Sequence, residues 1–313
     1  MKKALIVPVI VVATPIAVLA DGIFLPSYKE EISFLNTPGA NMIAMGMAFD
    51  GDHYWSCDGG GFKGIRLSEY DSDGTWLADY EPGFDPRSIF TADNTSPVYV
   101  RPYPTNTILV QTTAGVFADH VTLTGENLDP QSSVVFHTDG SGSFIAMEGG
   151  TVDTWNPDGS HAGSTALVDF GSMFGEGDYP ANRGIASAAG YYLTYSSGFL
   201  SAWDAGGVRV GTTELIAGGT SPSSHFSFSY ANDMVFVVDD LQVSWHGYFI
   251  PFCEGDVNGD GIVDPLDSGF VLARFGCEFP GDGLNCLAAD ANGDGIVDPL
   301  DSGFVLARFG PCP

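Results

Sequence analysis

The sequence predicts a mainly β chain: a propeller-like domain of five blades, the period allowing four to six, followed by a small helical module. Three observations carry this. Forty-one glycines and nineteen prolines, with no G-x-y period, describe many short strands joined by turns. Between Asp21 and Phe252, aromatic-polar-turn clusters recur roughly every 40–48 residues. Near the C-terminus, a stretch beginning at Asp256 is repeated 34 residues later from Asp290.

Composition bounds the rest. At 44% hydrophobic and 12% aromatic, the 313 residues can fill a sizeable core, which excludes disorder for the bulk of the chain. Eleven basic residues stand against 39 acidic ones, a formal charge of -28. That sign is opposite to what phosphate backbones or anionic lipid headgroups attract, so nucleic-acid binding is excluded.

Residues 1–20 are read as a cleaved secretory leader. Lys2 and Lys3 precede an apolar run from Ala4 to Leu19, and Ala20 offers a small residue at the cut. Pro8 and Pro15 interrupt the run, which is short for a span needing about 20 apolar residues. The expectation is a secreted or cell-surface chain with no transmembrane segment after cleavage. Losing the two lysines leaves 9 basic residues against 39 acidic, or -30.

Residues 21–252 are expected to form the propeller. The clusters are Tyr70-Asp71-Ser72-Asp73-Gly74, Trp155-Asn156-Pro157-Asp158-Gly159 and Trp203-Asp204-Ala205-Gly206-Gly207, with degenerate relatives near Gly115 and Trp245. Shorter hairpin signals precede them, as in Met47 to Trp55 and Val134 to Ile145, with Asp and Gly at the turns and β-formers on either side. Four short strands in about 42 residues make one blade, and about 225 residues make five. The last blade runs out of chain near Phe252, so the stretch from Lys29 to Phe34 is expected to supply its outer strand. A double-sheet sandwich is the rival, but it gives no reason for the period.

No nucleophile elbow, H-E-x-x-H or phosphate loop occurs here, so no catalytic residue is assigned. Asp71 to Trp76 resembles a sialidase Asp-box, but that motif separates Asp from Gly by one residue and here they adjoin. His53, His120, His137, His161, His225 and His246 lack ligand spacing and are read as turn or surface residues. Tyr70, Trp76, Trp155 and Trp203 are candidate sugar-stacking rings, with packing between blades as the competing role.

Residues 253–313 carry the most specific signal. The first copy runs Asp256-Val257-Asn258-Gly259-Asp260-Gly261-Ile262-Val263-Asp264-Pro265-Leu266-Asp267, and the second runs from Asp290 to Asp301. Oxygen side chains occupy positions 1, 3, 5, 9 and 12, with Gly at 6, the oxygen spacing of an EF-hand-type loop. Such carboxylates repel one another without a cation. Two calcium sites are expected. Asp256, Asn258, Asp260, Asp264 and Asp267 would supply side-chain oxygens and Ile262 its carbonyl; Asp290, Asn292, Asp294, Asp298, Asp301 and Ile296 would repeat the set. Magnesium is the poorer candidate, since it seldom uses an all-protein cage. Leu266, Phe270 and Ala273, with Leu300, Phe304 and Ala307, recur at i, i+4, i+7 and predict a helix after each loop. Arg274 and Arg308 would sit in the last turns, complementing the helix dipoles.

Four of the five cysteines fall in this module. Three pairings are possible; Cys253 with Cys312, clasping the ends, and Cys277 with Cys286, closing the central loop, are favoured over zinc, which lacks any C-x-x-C pair. Cys57 is read as a buried small apolar residue or a free thiol.

These residues resemble the dockerin module of secreted bacterial proteins, in which such a loop and a short helix occur twice. The likeness covers Gly255 to Gly310. It implies two loop-helix units packed with pseudo-twofold symmetry around two calcium ions, and docking onto a cohesin-type or cell-surface receptor. Positions 10 and 11, a polar Ser-Thr pair that contacts cohesin in the cellulosomal pattern, are here Pro265-Leu266 and Pro299-Leu300. Integrin-type calcium loops and thrombospondin type 3 repeats share the D-x-N-x-D-G core, but neither leads into a helical stripe. The sequence therefore reads as a non-catalytic binding protein with a calcium-dependent tether. A carbohydrate-active enzyme with the same tail and a cell-envelope component are the alternatives.

Overall fold

The computed structural model describes residues 21–22, 27–36, 43–60, 65–93, 97–216, 226–239, 244–250, 252, 255, 257, 262–277, 289, 291 and 296–311. The leader read at residues 1–20 lies outside them. Among the described residues, no helix is long and apolar enough to cross a membrane.

Five four-stranded antiparallel blades form the larger part. Blade 1 holds β4 (Ile43–Phe49), β5 (His53–Gly59), β6 (Arg66–Asp71) and β7 (Trp76–Tyr80). Blade 2 holds β8 (Pro86–Phe90), β9 (Tyr99–Pro102), β10 (Thr107–Thr113) and β11 (Val116–Thr122). Blade 3 holds β12 (Val134–Phe136), β13 (Phe144–Glu148), β14 (Thr151–Trp155) and β15 (His161–Ala166). Blade 4 holds β16 (Ala186–Ala188), β17 (Tyr191–Ser196), β18 (Phe199–Trp203) and β19 (Arg209–Ile216). Blade 5 takes β20 (Ser229–Ala231), β21 (Met234–Val238) and β22 (Ser244–Phe249) from its own stretch, and β3 (Ile32–Leu35) from the other end of the chain.

That borrowed strand closes the ring as expected. β3 pairs antiparallel with β22, Phe34 opposite Trp245. The two strands before it, β1 (Asp21–Gly22) and β2 (Ser27–Lys29), run along β19, antiparallel and parallel respectively. The N-terminal segment thus covers the open edge of blade 4, which would otherwise offer unpaired backbone groups to another chain, and then completes blade 5.

Alternation explains why each blade is apolar on both sides. Successive side chains of a strand point to opposite faces, so Phe144 and Ala146 of β13 pack toward blade 2 while Ile145 and Met147 pack toward blade 4. The same holds in β5, where Tyr54 belongs to the core shared with blade 5 and Trp55 and Cys57 to that shared with blade 2. The propeller therefore has a separate core in each of five clefts between neighbours. The first strands β4, β8, β12, β16 and β20 meet one another in turn around the axis. Buried serines latch three of these junctions. Ser229 Oγ accepts the Met47 N–H at 2.9 Å, Ser88 Oγ that of Val134 at 3.2 Å, and Ser133 Oγ that of Ile185 at 3.0 Å.

The repeated clusters are the turns between third and fourth strands. In blade 1, Asp71 Oδ1 accepts the N–H of Asp73 and of Thr75, at 3.0 and 2.8 Å, and Gly74 closes the turn onto the Asp71 carbonyl at 3.0 Å. Asp204 repeats the arrangement, accepting Gly206 and Val208 at 2.9 Å each. Gly74, Gly115, Gly159 and Gly207 all have φ between +70 and +83°, and each leans on the outer strand of the preceding blade. A Cβ there would collide with Phe34, Tyr80, Thr122 or Ala166. Glycine is needed twice over, for the backbone angle and for the approach.

A buried ion pair fixes the long connection into blade 4. Glu176 receives Arg209 Nη1 at 2.7 Å and Nη2 at 2.7 Å, and Ser201 Oγ at 3.1 Å, while the guanidinium stacks 4.2 Å from the centre of the Trp203 ring.

The C-terminal part folds around its own small core of Val263, Val271, Ala289, Val297 and Val305. Two helices of identical sequence, α1 (Pro265–Leu272) and α2 (Pro299–Leu306), pack on each other. The predicted stripe is corrected here. Leu266 and Leu300 are each 66% exposed, and Ala273 and Ala307 are exposed; the inward face is carried by Asp267 and Val271 in α1 and by Asp301 and Val305 in α2. Phe270 and Phe304 are half-buried.

Candidate metal centre

Position 9 of each loop is the N-cap of the helix that follows. Asp264 caps α1: its Oδ1 accepts the Leu266 N–H at 2.6 Å, while Asp267 Oδ2 reaches back to the Asp264 N–H at 2.8 Å. Asp298 and Asp301 repeat this reciprocal cap in α2 at 2.7 Å each. Proline follows each cap at the first helical position, where no N–H is missed. The D-x-x-D spacing of Asp264 with Asp267 and of Asp298 with Asp301 is the sequence signal of this capping box.

The cap places position 12 inside the module. Asp267 and Asp301 are 0% exposed, and they sit with half-buried Asp264 and Asp298 at the loop end of each helix. The module's two basic residues stand at the far ends. Arg274 Nη1 donates to the Phe270 carbonyl at 3.1 Å and Arg308 Nη1 to that of Phe304 at 3.2 Å, each guanidinium lying over the ring of that phenylalanine. The predicted last-turn position is corrected: each arginine stands one residue past the C-cap, Ala273 or Ala307, and bonds back to a carbonyl of the last turn.

A crossed pairing ties the two loops together. β23 (Ile262–Val263), in the first loop, pairs with β24 (Gly310–Pro311), which follows α2. In the second loop, Val297 exchanges hydrogen bonds with Gly276 and Cys277, which follow α1, at 2.9 and 3.0 Å. The relation is reciprocal, as a pseudo-twofold axis requires, and neither loop-helix unit completes its fold without the other.

Of the expected ligands, Ile262, Asp264, Asp267, Ile296, Asp298 and Asp301 are described. Asp256, Asn258, Asp260, Asp290, Asn292 and Asp294 lie outside the described residues. The described donors suit a hard cation: four carboxylates, two of them buried, and two backbone carbonyls. Cys277 is disulfide-bonded; Cys253, Cys286 and Cys312 lie outside the described residues. Cys57 is a free thiol with no exposure, pushed well above its ordinary pKa by burial.

The propeller decides between two roles for the aromatic rings and corrects one expectation for a histidine. Tyr70, Trp155 and Trp203 are 0% exposed and pack between blades, leaving only Trp76 of the four candidate rings open. His137 is buried, not a surface residue: its Nδ1 lies 3.0 Å from Ser187 Oγ, and its Nε2 lies 3.7 Å from Asp139 Oδ2. This has the members of a nucleophile triad but not its chemistry. Ser187 Oγ donates to the Tyr191 carbonyl and accepts the Thr138 N–H, both at 3.0 Å, so the hydroxyl is consumed in joining blades 3 and 4.

Comparison with known proteins agrees with the module's geometry. No curated protein matches the chain. Among solved structures, apo AztD from Citrobacter koseri is similar at 12% identity and a TM-score of 0.31, over 57% of this chain and about half (49%) of that one. Residues 254–309 match the dockerin type I domain. The chain is a five-bladed β-propeller carrying a dockerin type I domain at its C-terminal end.

Proposed function

We propose that the chain is a secreted, non-catalytic binding protein. In this reading residues 1–20 are a removed leader, residues 21–252 the propeller that holds a ligand, and residues 253–313 the module that tethers it, through calcium, to a cohesin-type receptor. Dockerin type I domains bind calcium and cohesin modules. The observation that carries the reading is the pair of capped loop-helix units, each with a buried position-12 aspartate and each finished by the strand that follows the other helix. Asp256, Asn258, Asp260, Ile262, Asp264 and Asp267 would hold one ion, and Asp290, Asn292, Asp294, Ile296, Asp298 and Asp301 the other. Bound calcium supplies the positive charge that lets these carboxylates share one loop. The residues orient the helices, whose exposed Leu266 and Leu300 stand where the cellulosomal pattern has hydroxyls.

The test is retention of the full chain on immobilised cohesin modules, in calcium and in chelator. Retention in calcium alone is expected. Equal retention in both would overturn the calcium dependence, and failure on every cohesin would overturn the receptor class and favour a structural place in the cell envelope.

A further inference from the structure

We infer that Trp76 and the polar groups around Asp79 form a binding site for an uncharged polysaccharide chain on the outer strand of blade 1. The inference rests on the reading of the propeller as the ligand-holding part. It begins from a position that recurs in three blades. The residue opposite the last aromatic of the third strand is Trp76 against Tyr70, His161 against Trp155, and Arg209 against Trp203. In each blade this residue gives a hydrogen bond to a carboxylate that also holds a serine. His161 Nε2 lies 3.2 Å from Asp153 Oδ1, which Ser164 Oγ also approaches at 2.5 Å. Arg209 and Ser201 hold Glu176. Trp76 Nε1 donates to Asp79 Oδ1 at 3.1 Å, and Ser68 Oγ to the same oxygen at 2.8 Å.

The position therefore needs only a donor to a nearby carboxylate. Histidine and arginine supply it and lie mostly buried, whereas Trp76 supplies it and leaves its ring 44% exposed. The chain's other four tryptophans are at most 3% exposed. An indole pinned by its N–H and 44% exposed is a preorganised apolar surface. Beside it stand groups suited to hydroxyls. Asp79 is 32% exposed, and Arg66 reaches it at 3.5 Å while bonding Asp58 at 3.0 Å. A pyranose ring matches this pair, with C–H groups for the indole and a hydroxyl edge for the part-exposed Asp79 carboxylate. The formal charge of -28 selects against uronate or sulfated chains.

The exposure pattern makes the test clean, since an aqueous quencher reaches Trp76 before any other indole. The full, calcium-loaded chain is titrated with cellohexaose, xylohexaose and mannohexaose, with hexagalacturonate as the charged control, following acrylamide quenching and heat of binding. At least one neutral hexasaccharide is expected to shield the quenchable emission saturably. Trp76→Ala should weaken its binding by about tenfold or more, and Trp76→Phe, which keeps a ring, should recover part of it. No shielding by any neutral hexasaccharide at about 10 mM would overturn the proposal. So would unchanged binding by a folded Trp76→Ala, or tighter binding of hexagalacturonate. Repeating the titration in chelator separates the two readings: sugar binding should persist there, while cohesin retention is lost.

Discussion

His137 shows how a single side chain reports on the joint between two blades. Burial holds its imidazole below the ordinary histidine value, and the pull of Asp139 in the other direction is the smaller effect. The folded chain thus resists a proton that the unfolded chain accepts near pH 6.5. The sign follows: stability from this residue is complete above about pH 6.5 and declines as pH falls below it. Urea melts from pH 8 to pH 5 should show that decline in the wild type and a shallower one in His137→Gln. Identical slopes would mean that the Ser187 contact does not hold the neutral ring. None of this was legible in the sequence. Histidines at scattered spacing look like surface residues, and only the packing of blade 3 against blade 4 brings positions 137 and 187 together.

Individual elements were legible where one local rule decided them. The Asp-x-x-Gly turns announced the third-to-fourth-strand corners, because the side-chain acceptor and the positive φ are demanded within four residues. The borrowed strand β3 was legible from arithmetic, since blade 5 lacked a fourth strand within its own stretch. The helices of the module were placed correctly and rotated wrongly. Their sequence Pro-Leu-Asp-Ser-Gly-Phe-Val-Leu offers apolar residues on several faces, so spacing alone does not choose one. The choice is made by Asp267 and Asp301, which turn inward at loop position 12 and carry Val271 and Val305, four residues on, to the same face. At this scale β3 is the element to challenge. Phe34 fills the cleft between blades 5 and 1 against Tyr54, Tyr70 and Phe236. Phe34→Ala is expected to lower propeller stability by about 3–5 kcal/mol in denaturant melts. A loss under about 1 kcal/mol would mean that the closing strand contributes little to the ring.

The whole molecule joins two solutions to the same problem of completion. The propeller closes by borrowing a strand from the other end of the chain, and the module closes by pairing each loop with the segment that follows the other helix. Both devices tie residues distant in sequence, and both follow from repeats that cannot bury their faces alone. The parts differ in what they need. The five clefts between blades carry large aromatic cores, while the module's apolar core, among the described residues, is four valines and an alanine, beside a disulfide at Cys277 and a high density of carboxylates. A domain of about sixty residues with so little core depends on such additions. Ligand binding to the folded form alone would add about 2.7 kcal/mol at a hundred times the dissociation constant.

The measurement that bears most directly on this account is calorimetric titration of calcium into the full, chelator-stripped chain, alongside Asp260→Ala and Asp294→Ala. Two saturable sites in the wild type, with one lost in each variant, are the predicted result. Absence of saturable calcium binding, or a stoichiometry unchanged by both substitutions, would contradict it.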